Sequence, residues 1–292
     1  MSTDAREKAR QLAAKQAKNN TAASSRRWIQ LTVLLVVAAL VAVFAFVFYQ
    51  NQNSKIPNSG PVPASANQYG GIVLTKDGIV KNASSEQTRN LEALGTSTVS
   101  INPTLNGTPD ATAHALPLGM QNAEESAKNG QAVRVTVFQD FNCIHCREFE
   151  ERYGEEIQKL VEDGTITLEV RNLIFLDRVS PTQYSSRTAN AAYAVANQVS
   201  TTQYLNFQRE LFTYQGKKDL TNQEIADIAS KYGADISSDL NENKWRPLVD
   251  VLNTESVNNG IAGTPTVFVD GDQYTGSDFS AFLKQKIDAK KK

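Results

Sequence analysis

From Trp28 to Tyr49 the chain passes through 22 positions, "WIQLTVLLVVAALVAVFAFVFY", without a charged residue. At about 1.5 Å per helical residue such a run reaches across a hydrocarbon core of about 30 Å, and the pattern predicts a single N-terminal transmembrane helix. Beyond residue 130 the apolar spacing shortens. Val133, Val135 and Val137 alternate with Arg134 and Thr136, the period of a strand. Phe149, Tyr153, Ile157, Leu160 and Val161 then recur at three and four, the apolar stripe of a helix for which Asn142 offers an N-cap. "TITLEVRNLIF", 165–175, predicts the next strand after the break at Gly164.

Residues 181–258 read as helices, among them "NQEIADIASKYG", opened by a Thr221/Glu224 capping box, and "PLVDVLNTESVNN", with Pro247 at a helix start. "TPTVFVDG" and "DQYTGS" predict a hairpin-like pair, and 278–290 a last helix. The order is strand, helix, strand, helical insert, strand, strand, helix. That is an α/β domain over 131–292 with a helical insert at 181–258.

The segments before it are polar. Residues 1–27 form a basic tail and residues 50–68, rich in Pro, Gly, Ser and Asn, a flexible linker. Residues 69–130 make an N-terminal extension with two short strands in "GGIVLTKDGIVKN", around the Asp77-Gly78 turn, and irregular chain thereafter. Three roles stay open for this extension: lengthening the sheet, covering a face, or mediating dimer contacts. His114, within it, reads as a solvated side chain.

Charge orients the apolar helix. Arg6, Lys8, Arg10, Lys15, Lys18, Arg26 and Arg27 precede it and only Lys55 follows closely, so the N-terminus is expected in the cytoplasm and residues 50–292 outside. Trp28 and Tyr49 bracket the span as interfacial aromatics. A cleaved signal is the alternative, with "ASA" at 64–66 as its small-residue site. The apolar run is too long for it and the site lies too far beyond, which favours an uncleaved anchor. Either way the domain is exported, and the uncleaved anchor would hold it at the outer face of the cell membrane. A formal net charge of -1 gives no case for nucleic acid. A length of 292 residues with 40% apolar and 21% charged is ordinary globular composition.

Two cysteines, Cys143 and Cys146, are the whole complement, three positions apart in "VFQDFNCIHCREFE". A disulfide between them closes too short a loop to stabilise much. A zinc site needs three or four protein ligands, and only His145 and distant His114 accompany the pair, so no metal and no bound cofactor is expected. The functional reading fits better. Thiolate is the species that exchanges disulfides, and a helix N-terminus favours it at Cys143. Cys146, one turn on, is placed to resolve a mixed disulfide. His145 between them adds a cation or ring N–H that favours the thiolate, and Ile144 offers an apolar contact to partners. Asp140 is read as a turn residue, outside the catalytic set. In an exported domain disulfides persist, and a chain whose sole thiols form such a pair carries a redox tool.

"FQDFNCIHCREFE" together with "GIAGTPTVFVDG", 260–271, resembles the DsbA-like thiol-disulfide oxidoreductases of the thioredoxin superfamily, over roughly 132–290, in the anchored form found in actinobacteria and other Gram-positive bacteria. The resemblance implies a thioredoxin-like fold whose core is interrupted by the helical insert. It also implies a cis Pro265 facing the cysteines and Thr264 offering backbone groups to a substrate strand. The dipeptide between the cysteines is Ile-His, where the best-known oxidases carry Pro-His. The expected activity is donation of a Cys143–Cys146 disulfide to the thiols of exported proteins, with a quinone-linked membrane partner as reoxidant. A reductase or isomerase of the same fold is the alternative, and a peptide-binding or chaperone module a more distant one.

Overall fold

The computed structural model describes residues 4, 6–15, 33–43, 56–94 and 116–291. The chain divides into two compact units, Met1–Lys55 and Ile56–Lys292. In the first, the described residues are helical. Helix α1, residues 33–43, presents Val33, Leu34, Leu35, Val37, Leu40 and Val41 to its surface. Only this part of the expected 28–49 span is described, and among the described residues no helix is long and apolar enough to cross a membrane. His114 and the chain around it, 95–115, lie outside the described residues.

The second unit is built on a six-stranded sheet. Its strands are β2 (Ile72–Thr75), β3 (Gly78–Ile79), β5 (Val133–Gln139), β6 (Ile166–Asn172), β7 (Thr266–Val269) and β8 (Asp272–Gln273), in the order β3-β2-β6-β5-β7-β8. β5 and β6 run parallel, and every other pairing is antiparallel. The crossover between the parallel strands is helix α3, Ile144–Glu162. The alternation along β5 suggests a strand buried on one face, yet Thr136 and Phe138 are buried as fully as Val135 and Val137. A strand in the centre of a sheet covered on both faces loses the polar half of its period. Helix α9, Phe279–Lys290, packs on α3 through Phe149, Tyr153 and Phe279, whose ring centroids lie 5.1–5.3 Å apart. Such pairs contribute about 0.5–1.5 kcal/mol each beyond their burial.

Between β6 and β7 the insert folds as five helices: α4 (Tyr184–Ala196), α5 (Thr201–Tyr214), α6 (Asn222–Lys231), α7 (Ser237–Asn241) and α8 (Arg246–Asn258). The Thr221/Glu224 capping box is formed, a second one joins Ser200 and Gln203, and Pro247 stands at the start of α8. Alanines at 189, 191, 192, 194 and 196 are fully buried, leaving room for Tyr184 and Tyr193 in the same core.

The extension is tied to this body. β2 extends the sheet along the free edge of β6, with Ile72 opposite Val170. The turn in its hairpin is Lys76-Asp77, because Gly78 already pairs with Thr75. A separate ribbon of β1 (Ser59–Pro61) and β4 (Thr88–Asn90) packs on α8, where Arg89 grips Glu255 with two guanidinium nitrogens at 2.8 and 3.2 Å. A short helix α2, Ala123–Lys128, capped by Asn122, leads into β5. Thus part of the stretch expected as a linker over 50–68 is structured from residue 56. Its apolar content is low, and polar main-chain contacts fix it: Ser65 N–H donates to Asn197 at 2.9 Å and Ser65 is fully buried. Fully buried Glu169 completes the anchorage by accepting from Arg171 (2.8 Å), Asn67 (3.0 Å) and Arg134.

Candidate active site

β5 ends at Gln139, and the chain must turn into α3 within residues 140–143. Asp140 makes that turn. One carboxylate oxygen accepts from Asn142 N–H at 2.8 Å and the other from Leu176 N–H at 3.0 Å, across from the end of β6. Phe141 is buried against Phe212 of α5 with ring centroids 5.0 Å apart. Cys143 N–H then donates to the Asp140 carbonyl at 3.0 Å, and Cys143 itself takes the extended N-cap conformation, φ -87 and ψ 123. Cys143 is therefore the cap, and not Asn142, the residue that the sequence offers for it. The Asp140 turn consumes its N–H, and the first intrahelical bond comes from Arg147 N–H to the Cys143 carbonyl at 3.1 Å.

This places both thiols where the helix begins, Cys143 at 7% exposure and Cys146 at 2%, both free. Their environments diverge. The Cys146 thiol, opposed by desolvation and helped by the Thr264 side chain and the N–H groups of Cys146 and His145, holds the Cys143 thiol down at about 5. Cys146 is pushed well above the ordinary thiol range by burial and by the neighbouring Cys143 sulfur. Its sulfur lies 3.5 Å from Asp140 N–H. At neutral pH the pair is a partly accessible thiolate beside a buried thiol.

The second wall comes from the far end of the chain. The Thr264–Pro265 peptide bond is cis, and the Thr264 carbonyl lies 3.3 Å from Cys143 Sγ. Both residues are half-buried, and the strand that follows, β7, pairs with β5. Ile144, between Cys143 and His145, is an apolar side chain at 47% exposure. His145 is arranged differently from expectation. Its ring is 73% exposed and Nδ1 sits 2.9 Å from Glu148 Oε2, which is the chief reason its pKa is raised. The His145 main-chain N–H stands among the groups favouring the Cys143 thiolate, and the charge attraction between that thiolate and the ring is the least of the causes that raise the His145 pKa.

Two acidic residues next to the cysteines carry little sequence signal. Asp140 is fully buried, and desolvation lifts its carboxyl to about 6. Glu150 lies four residues after Cys146 on the buried stripe of α3. It accepts from Gln208 at 3.2 Å and faces Arg209 at 3.4 Å, and its pKa is raised by burial. Gln208 in turn accepts from Gln139 at 2.8 Å, which reaches Asn172 at 3.0 Å, a polar chain beneath the cysteine turn. The signal for Glu150 was a charge set between Phe149 and Tyr153 within an apolar period.

A thioredoxin family profile matches residues 127–289, more than half of the chain. The chain belongs to the thioredoxin family. Its paired thiols, one favoured as thiolate and one buried, make this family member a protein thiol-disulfide oxidoreductase. Among solved structures it is similar to the reduced form of the disulfide bond oxidoreductase DsbG of Mycobacterium tuberculosis, at 28% identity over 54% of this chain and 77% of that one, TM-score 0.48. It is similar also to reduced DsbA of M. tuberculosis, at 28% identity over 54% and 87%, TM-score 0.47. MdbA, a thiol-disulfide oxidoreductase of Corynebacterium matruchotii, matches at 23% identity over 56% and 97%, TM-score 0.46. A search of curated proteins finds no match.

Proposed function

We propose that this thioredoxin-family oxidoreductase works outside the cytoplasm, held at the cell membrane by residues 28–49, and donates its Cys143–Cys146 disulfide to thiols of exported proteins. The observation that carries the direction is the low pKa of Cys143. A thiolate that is stable in the reduced protein leaves readily from a mixed disulfide, and stabilising the reduced form makes the disulfide a stronger oxidant. Support for the membrane anchorage comes from the uncharged run at 28–49, its basic N-terminal flank, and the apolar surface of α1.

In the cycle, a substrate thiolate attacks Cys143 Sγ, the Cys143–Cys146 bond breaks, and Cys146 leaves and is protonated in its buried site. The substrate's second thiolate then attacks its own sulfur in the mixed disulfide and Cys143 leaves as thiolate. The substrate loses two electrons and the cysteine pair gains them. A membrane acceptor, quinone-linked, takes them away and restores the disulfide. Thr264 and cis Pro265 bind the substrate's extended backbone beside Cys143, while Ile144 gives an apolar contact at the rim.

The test is oxidation of a reduced, unfolded secreted substrate by the wild-type protein and two variants. Cys143→Ala is expected to abolish exchange. Cys146→Ser, which has no disulfide to donate, is expected to leave the reduced substrate unoxidised. Offered the same substrate oxidised, it is expected to accumulate mixed disulfides, the Cys143 thiolate attacking the substrate's disulfide and a substrate thiol leaving. Oxidation that persists in Cys143→Ala would refute the cycle. Wild-type protein that only reduces disulfides, or only reshuffles them, would assign it to the reductase or isomerase side. Biological function retained by a Cys143/Cys146 double serine variant would make it a binding module.

A further inference from the structure

One residue of the insert touches the chain on both sides of the cysteine pair. Gln215 terminates α5 and is buried at 8% exposure. Its Nε2 donates to the carbonyl of Asn142 at 3.0 Å, and Asn142 immediately precedes Cys143. Its own carbonyl accepts from Arg147 Nη1 at 3.4 Å, and Arg147 immediately follows Cys146. One turn earlier on the same helix, Phe212 packs on Phe141.

Packing does not account for an amide at this position. Gln215 Oε1 is buried without a partner, a cost that an apolar side chain of the same size would avoid. What the amide gives in return is control of one peptide plane. The carbonyl of the Asn142–Cys143 peptide is held by Gln215 and its N–H by the Asp140 carbonyl at 3.0 Å. With both ends of that plane pinned, the Cys143 cap conformation is fixed, and Sγ stays over the N–H groups of the first turn of α3. A plane freed at its carbonyl can rotate and carry the sulfur off that line.

We propose that Gln215 is a positioning residue for thiol-disulfide exchange, through which the helical insert holds the residues flanking Cys143 and Cys146 and sets the reactivity of Cys143. The inference rests on Cys143 being the attacking thiol.

The experiment uses the full chain, purified in detergent and reduced. The rate of alkylation by iodoacetamide is followed across pH, the modified cysteine is identified by mass spectrometry, and thermal unfolding is recorded in parallel. Gln215→Ala removes the amide, and Gln215→Met removes it while keeping the volume. Both are expected to move the Cys143 alkylation profile up by about half to one pH unit, the worth of one hydrogen bond, and so to slow the reaction about 3- to 10-fold on its acid side. The equilibrium with glutathione is expected to shift toward the disulfide by a similar factor. A lowered melting temperature with an unmoved profile would overturn the proposal, as would loss of the fold in both variants, since Gln215 would then support only the fold. Alkylation of Cys146 in place of Cys143 in the wild-type protein would instead overturn the assignment of the attacking thiol, and the proposal with it.

Discussion

If Cys143 is held as a thiolate only in the folded, reduced protein, then reduction must stabilise the fold, and by an amount that depends on pH. The perturbation is the redox state itself, with no substitution. The Cys143 thiol titrates at about 5 in the fold, against about 8.5 in an unfolded chain. A depressed pKa contributes stability that is fully present above the unfolded value and is lost as pH falls through the folded one. At pH 7 the two values give a ceiling of about 2.7 kcal/mol, and at pH 5 about 0.4 kcal/mol. Solvent at the mouth of the site screens part of this, so about 1–2 kcal/mol is expected at pH 7. Cys146, raised above the ordinary range, is protonated in both states and adds nothing there. The oxidised protein has no Cys143 thiol to titrate. Subtracting its denaturant-unfolding free energy from that of the reduced protein at each pH cancels groups common to both, Asp140 and Glu150 among them. The difference should move in favour of the reduced form by about 1–2 kcal/mol between pH 4.5 and 7, a result within reach of unfolding in urea. A difference that stays flat with pH, or moves toward the oxidised form, would refute the argument.

Three further outcomes follow from the same geometry. Asp140→Asn places an NH2 group where two N–H donors converge, and is expected to cost about 1–3 kcal/mol by urea unfolding. The raised pKa of Asp140 makes the oxidised wild-type protein gain stability as pH falls through about 6, and the variant should lack that gain. Glu169→Gln leaves Arg171 buried without its counter-charge and should cost about 3 kcal/mol or more, seen as a melting temperature lower by about 6–12 °C; an unchanged melting temperature would contradict the anchoring role of the cluster. Glu148→Gln releases the His145 ring from its exposed partner and should lower the pKa of His145, measured by proton NMR, while the alkylation profile of Cys143 stays nearly unmoved.

The sequence pattern carried the core of the fold and the place of the cysteines. Val133–Val137 followed by the stripe from Phe149 to Val161 locates a strand-to-helix turn, and the Thr221/Glu224 box and Pro247 mark two insert helices where the structure has them. These signals are local, and each is read from residues a turn or two apart. What escaped was long-range. The order of residues 56–68 comes from Ser65 meeting Asn197, a contact made 132 positions away. The cap fell to Cys143 in place of Asn142, in a turn whose Asp140 carboxylate is also held by Leu176 N–H, 36 positions away. The pairing of the exposed His145 ring with Glu148, stronger than its attraction to Cys143, also had no signal in the cysteine motif itself. Gln215 had no signal at all, since a single glutamine in a helical stretch gives no hint of the turn it reaches.

The central claim is that the Cys143–Cys146 disulfide is poised for donation, and the reduction potential of the full chain, equilibrated in glutathione buffers at pH 7, tests it most directly. The low pKa of Cys143 predicts a value toward the DsbA end of the thioredoxin-fold range, about -120 mV. A value near that of thioredoxin, about -270 mV, lies roughly 7 kcal/mol away on the two-electron scale and would contradict the account, making the protein a reductase.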